Sequence, residues 1–362
     1  MFKTTLRTAF AAIFVLLTLL ISQAHDNGEG TRRRSRSRQS NECNLFKGSW
    51  IMDPSYPIYN GSECPFVDSG LNCQKNGRDD TMYLKFRWQP HRCALASFSG
   101  KRFLRRNRGK KIMFVGDSLS SNQWQSLACM LYHSVPSTKH TFTREGPLSN
   151  LSFPEYGVSV MYLKNGFLVD LVVEKESRVL KLDSISRGGK WEGVDVLIFN
   201  SYHWWTHSGS LQTWDYYQVG EEIYKNMGRM EAYKIALTTW AKWVDSNINP
   251  NKTRVFFQGI SAIHDEGKDW NEPNVRSCEG QTLPIHGLHF PGKRYPGQHV
   301  VKGVLVKMKN PAYLLDITLL TQLRKDGHPS IYGDEGRDCS HWCLAGVPDT
   351  WNQILYNILL KK

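Results

Sequence analysis

A hydroxyl becomes a nucleophile when a neighbouring base takes its proton, and the base works best when a carboxylate holds its other nitrogen. Two stretches of this chain carry those groups. Ser118 stands in Gly116-Asp117-Ser118, directly after the apolar run Ile112-Met113-Phe114-Val115. Asp338 and His341 stand three apart in Asp338-Cys339-Ser340-His341, close to the other end of the chain. On a tight loop that spacing lets the carboxylate meet one imidazole nitrogen and leaves the other for a serine. The chemistry would be acyl transfer through a covalent intermediate on Ser118. Each half is weak alone. Gly-Asp-Ser is also ordinary helix-start chemistry, with Asp or Ser as the cap, and Asp-x-x-His arises by chance.

The elements needed to bring these residues together are legible as alternating patterns. Residues 112–115, 194–199, 254–258 and 313–317 read as short buried strands, because they are brief, apolar and rich in Val, Ile, Leu and Phe. Leu119–Tyr132 and Glu221–Val244 read as helices. Strands alternating with helices imply an α/β fold with a doubly wound parallel sheet, whose sites lie at the carboxyl ends of the strands. Ser118, Asn200 and Gly259 all fall at such ends. Asn200 and Gly259 are therefore candidate oxyanion donors beside the Ser118 N–H. His203, Trp204 and His264 follow strand ends and are candidate substrate contacts. His203 and His207 also have i, i+4 spacing, but no acidic third ligand is placed for a metal. Trp88, Trp124, Trp270, Trp342 and Trp351 are expected in the core.

Lys+Arg 46 against Asp+Glu 33 gives +13, of which residues 1–38 carry +5 and the rest about +8. A basic body suits an acidic partner such as an anionic polysaccharide, a membrane surface or a nucleic acid. Compartment narrows that choice. Lys3 and Arg7 precede an apolar run from Ala9 to Ile21, and Ser22-Gln23-Ala24 offers a cleavage site. Residues 1–24 therefore read as a signal peptide, or a retained signal-anchor, since the run is short of the ~20 residues that span a bilayer. Nucleic acid is not expected as a partner there. Residues 25–42, with Thr31-Arg32-Arg33-Arg34-Ser35-Arg36-Ser37-Arg38, read as a basic disordered linker. The even set of eight cysteines, Cys43, Cys64, Cys73, Cys93, Cys129, Cys278, Cys339 and Cys343, points to disulfides in an oxidising compartment. The first four, clustered in sequence, are expected to pair among themselves, and the last four to tie the C-terminal part together. A zinc site at Cys339, His341 and Cys343 is the rival reading, and it lacks a second Cys-x-x-Cys half. Asn60, Asn150 and Asn251 are sequons, expected on surface loops. Residues 43–100 read as a Cys-rich, loop-rich module packed on a catalytic domain spanning 101–362. Lys101–Lys111 holds seven positive charges and no negative one. It reads either as a solvated loop or as a polyanion-contacting patch.

An early Gly-Asp-Ser with a late Asp-x-x-His resembles the arrangement of GDSL/SGNH-type hydrolases. The resemblance sharpens in Cys43-Asn-Leu-Phe-Lys-Gly-Ser-Trp50, Tyr83-Leu-Lys-Phe-Arg-Trp-Gln-Pro90, Phe114-Val-Gly-Asp-Ser-Leu-Ser-Ser-Asn-Gln-Trp124, Phe199-Asn-Ser-Tyr-His-Trp-Trp205, Tyr313-Leu-Leu-Asp-Ile317 and Asp338-Cys-Ser-His-Trp-Cys-Leu344. In these the chain is similar to the plant trichome-birefringence-like, polysaccharide O-acetyltransferase family. Ala345 stands where that family usually has proline, and Ala262-Ile263 replaces its usual residues before the histidine. The resemblance implies an SGNH-hydrolase-like sheet, with Ser118 as nucleophile, His341 as base and Asp338 as its partner. It also implies an acetyl group as cargo and a wall polysaccharide as acceptor.

The resulting expectation is a monomeric O-acetyltransferase of the Golgi or the cell wall, acting on xylan, mannan or pectin. No metal or bound cofactor is expected, and the acetyl donor enters as co-substrate. Membrane contact is expected only through a retained N-terminal segment. An acetylesterase with the same triad, and a non-enzymatic pectin-binding wall protein, are the alternatives.

Overall fold

In the computed structural model the described residues are 43–334 and 336–361. The signal and linker readings for residues 1–24 and 25–42 lie outside them.

A seven-stranded sheet organises the described chain. Its strands are β3 (Lys111–Gly116), β4 (Thr141–Glu145), β5 (Leu148–Phe153), β6 (Val158–Lys164), β9 (Val196–Phe199), β12 (Arg254–Gln258) and β13 (Tyr313–Leu315). Their spatial order is β13-β12-β9-β3-β6-β5-β4. The five from β13 to β6 are parallel, while β5 and β4 add an antiparallel edge. All four strands read from sequence are in the parallel part. A hairpin, β1 (Gly48–Met52) with β2 (Phe86–Pro90), lies before the sheet. A second sheet is built from β7 (Asp170–Glu174), β8 (Ser177–Lys181), β10 (Tyr216–Val219) and β11 (Glu222–Tyr224).

Strand alternation splits the interior into two cores, because successive side chains leave opposite faces. Ile112, Phe114, Val196 and Ile198 join the core that includes Leu119, Trp124 and Leu127 of α2 (Ser118–Ser134) and Trp351 and Leu355 of α7 (Val347–Leu360). Met113, Val115, Leu197 and Phe199 join the other, with Tyr233 and Trp240 of α4 (Arg229–Asn247) and Val301 and Leu305 of α5 (Pro296–Leu305). Helices on both faces and apolar residues at every position are what a buried parallel sheet requires. Each such fully buried side chain contributes about 1.5–3 kcal/mol.

Three expectations need correction. The helix expected from Glu221 begins at Arg229 instead. Gly220, at φ +56°, turns the chain so that Val219 faces Glu222 in a hairpin, which takes residues 222–224 into a strand. The basic tract is not a loop: Gly100–Arg106 is the helix α1, with Phe103 and Leu104 buried beneath it. The cysteines also do not sort by position. Cys43 pairs with Cys93 and Cys278 with Cys339, but Cys64 pairs with Cys129 and Cys73 with Cys343. The reason is burial. Residues 43–100 have little core of their own and place Leu45, Trp50, Tyr59, Phe66 and Trp88 in the same core as α2 and α7. Their cysteines therefore meet those of the main body. Cys339 and Cys343 sit in separate disulfides, so neither offers a thiolate and the zinc reading of that segment falls.

Candidate active site

Gly116 closes β3 against the end of β9, so near Asn200 O that a Cβ would collide with it. Asp117 follows as the N-cap of α2, its Oδ1 accepting from Leu119 N at 2.9 Å. The same buried carboxylate accepts through Oδ2 from the backbone N–H of Tyr202 (3.4 Å) and His203 (3.3 Å). The Asn200 side-chain amide also turns its nitrogen to Asp117. Asp117 thus ties the end of β9 to the start of α2, and Ser118 is left half-buried at the first helical position.

The late loop comes to the same place. Asp338 pairs its backbone with Ser330. Its Oδ1 accepts from the N–H groups of Ser340 (2.9 Å) and His341 (3.0 Å), and its Oδ2 faces His341 Nδ1 at 2.7 Å. The carboxylate therefore sets both the loop and the imidazole. Asn122, one turn beyond Ser118 on α2, accepts from Trp342 N (2.8 Å) and donates to Trp342 O (3.1 Å). Trp342 is fully buried and donates Nε1–H to Ser261 Oγ at 2.8 Å. These bonds draw the residue next to His341 onto the helix that begins with Ser118. Ser118 Oγ and His341 Nε2 have no hydrogen-bond partner among the described residues.

Charge in the loop follows from the contact. Burial pushes Asp338 up, but the hydrogen bond and charge of His341, with the two backbone N–H groups, hold the carboxyl well below the usual range. Burial likewise works against a charged His341. Its bond to Asp338, the Asp338 charge and the nearby Asp117 outweigh that and raise its pKa above the ordinary imidazole value.

The remaining candidates are placed as follows. Gly259 donates its N–H to Leu315 O at 2.7 Å, which takes it out of the donors facing the crevice. His203 is buried, with Nε2 at 3.1 Å from Ser261 O. Burial lowers its pKa. Trp204 packs on Phe167 and under Lys164. His264, expected in the crevice, is fully buried between Gln322 O (2.9 Å) and His328 (2.7 Å). Substrate cannot reach it there. Trp88, Trp124, Trp270, Trp342 and Trp351 are all buried. No cluster of three His, Cys, Asp or Glu able to hold a metal occurs among the described residues. Of the sequons, Asn60 is exposed as the cap of a short 3-10 helix and Asn251 is exposed in a turn, whereas Asn150 lies in β5 with its amide donating to Ser152 Oγ at 3.0 Å. Asp117 holds the cap position read for the Gly-Asp-Ser motif, whereas its bonds to residues 202 and 203, and the parts played by Asn122, Ser261 and His328, were not singled out from sequence. Of the last three, Asn122 alone leaves a trace there, as a polar residue four beyond Ser118 on a helix.

Comparison with known proteins decides the family. Residues 95–358 match the GDSL/SGNH-like acyl-esterase family found in Pmr5 and Cas1p, and residues 41–94 match the PMR5 N-terminal domain. Protein trichome birefringence-like 42 of Arabidopsis thaliana is 52% identical over 355 residues, 96% of this chain and 98% of that protein. Trichome birefringence-like 39, from the same plant, is 51% identical over 344 residues, covering 94% and 93% of the two chains.

The chain belongs to the trichome birefringence-like family.

Membership of this trichome birefringence-like group brings the acyl-esterase fold and points to acyl-transferase or esterase chemistry. Its four disulfides fit an oxidising, secretory compartment. Among the described residues no helix is long and apolar enough to cross a membrane.

Proposed function

We propose that this protein transfers acetyl groups to hydroxyls of a plant cell-wall polysaccharide through an acyl-enzyme on Ser118, in the Golgi or the wall. The observation that carries the reading is the 2.7 Å contact of Asp338 Oδ2 with His341 Nδ1, which leaves Nε2 as the ring nitrogen available to a serine. It occurs in a loop bonded to the helix that starts with Ser118.

In the first step His341 Nε2 takes the Ser118 proton as Oγ attacks the acetyl carbonyl of the donor. With Asn200 and Gly259 engaged elsewhere, the oxyanion falls to the Ser118 N–H and the positive end of α2. The tetrahedral species collapses, and His341 returns the proton to the leaving group. In the second step a sugar hydroxyl gives its proton to His341 and attacks the acetyl-serine. Collapse then restores Ser118 and leaves an acetylated sugar. The basic body favours an acceptor that carries carboxylates.

Hydrolysis is the second reading. Asp338 and His341 side chains are each 26% exposed, so water reaches the base. Purified protein is incubated with acetylated and deacetylated xylan, mannan and pectin, with and without an acetyl donor, beside Ser118→Ala. Donor-dependent acetyl gain supports transfer, and acetate release supports hydrolysis. Turnover that survives in Ser118→Ala removes the triad from both.

A further inference from the structure

Beneath the catalytic loop two buried imidazoles form a chain between two carbonyls. His264 Nε2 lies 2.9 Å from Gln322 O, His264 Nδ1 lies 2.7 Å from His328 Nε2, and His328 Nδ1 lies 2.6 Å from His341 O. Carbonyl oxygens only accept, so both outer nitrogens carry hydrogen. A neutral imidazole carries one hydrogen. Two neutral rings bonded in this way would oppose bare lone pairs at 2.7 Å across the inner gap. All three contacts are satisfied only if one further proton lies between the rings.

We infer that His264 and His328 share that proton, and that the pair is a buried monocation whose outer N–H holds the His341 carbonyl and so positions the base.

The surroundings suit a cation. His328 stacks on Trp342 with ring centroids 4.0 Å apart, and Trp270 and Phe290 flank His264. Aromatic faces attract a cation. The charged groups around the pair are Arg324, Lys325 and Asp326 from its own segment, Arg78 and Asp80 from the N-terminal segment, Glu272, Asp265 and Asp338. Of these, Asp326 and Asp338 favour charge on the pair and Lys325 opposes it, as does the titratable His341. Desolvation opposes the charge and lowers the pKa of both rings, His264 to about 4 even with the Gln322 carbonyl and Asp326 acting upward, and His328 further through its nearness to His264. The geometry of the three short contacts acts the other way, because it leaves no arrangement of two neutral rings that satisfies all of them. The pair has no path to substrate, so its role is positional. The link to turnover rests on the function proposed above; the proton count does not.

The full chain, labelled with ¹⁵N-histidine, is examined by NMR between pH 5 and 8, and the two rings are assigned with His264→Gln and His328→Gln. Three proton-bearing nitrogens in the pair, with the inner proton far downfield, are expected. Two proton-bearing nitrogens throughout that range would overturn the inference, whether or not the protein turns over any ester. In activity assays with p-nitrophenyl acetate, His328→Gln is expected to lower kcat about tenfold with little change in KM. Loss of a neighbouring positive charge also frees His341 to hold its proton more tightly, so the acidic limb of the rate profile moves to higher pH. A lower kcat with an unmoved limb would mean that His328 only supports the fold, and would overturn the charge.

Discussion

Asp117 makes one carboxylate serve two purposes. It caps α2 and it gathers the backbone of residues 200–203 beneath the serine. Asp338 is equally economical, with three contacts fixing a loop and an imidazole together. With His341 as the proposed neutral base, activity is expected to rise as pH passes its pKa, which Asp338 holds above about 6.5. In Asp338→Asn the acidic limb of the rate profile therefore moves to lower pH, while the maximal rate falls about a thousandfold or more; a limb that stays in place would separate Asp338 from His341. Asp349, fully enclosed under Tyr59 Oη (2.9 Å) and Ser126 Oγ (2.6 Å), is pushed by burial up to about 6. Folded protein then keeps a proton that unfolded protein loses near 4, so stability falls as pH rises from about 4 to 6. Asp349→Asn is expected to flatten that slope in thermal melts, because an amide does not titrate in this range.

Among the elements, the parallel strands were readable because buried strands leave continuous apolar runs, and the Asp338–His341 contact was readable because the two residues stand three apart in a short cysteine-flanked segment. The hairpin at Tyr216–Tyr224 was not. Its glycine turn lies inside a polar stretch that also suits a helix. His328 was hidden for another reason: its partners are 64 and 13 residues away, and no local pattern encodes such contacts. The same holds for Arg78, an N-terminal side chain that reaches His328 O (2.9 Å) and Asp326 O (2.7 Å) beneath the catalytic loop. Arg78→Ala strands two buried carbonyls, each worth roughly 1–3 kcal/mol. A Tm drop of several degrees together with a fall in kcat is expected by calorimetry and ester assay. Unchanged kcat with lowered Tm would show that the N-terminal segment supports the fold alone.

At the scale of the whole molecule, the basic helix and the proposed nucleophile sit at opposite ends of strand β3. Lys101, Arg102, Arg105 and Arg106 are exposed on α1, which leads into the amino end of β3. Ser118 follows the carboxyl end of that strand, roughly 20 Å away at about 3.3 Å per residue. Replacing Arg102 and Arg105 with Glu is therefore expected to weaken retention on a pectin column and flatten its salt dependence, while p-nitrophenyl acetate turnover is unchanged. Retention that is indifferent to these changes would place polyanion contact elsewhere. The Cys73–Cys343 link has a consequence for how the protein is made. Its two sulfurs are 270 residues apart, so during synthesis the earlier thiol waits, unpaired, until almost the last of the chain has entered the oxidising lumen. A product truncated anywhere between Cys73 and Cys343 would leave the ribosome with Cys73 as an orphan thiol, and because His341 stands only two residues before Cys343, any chain able to close this link also carries that imidazole.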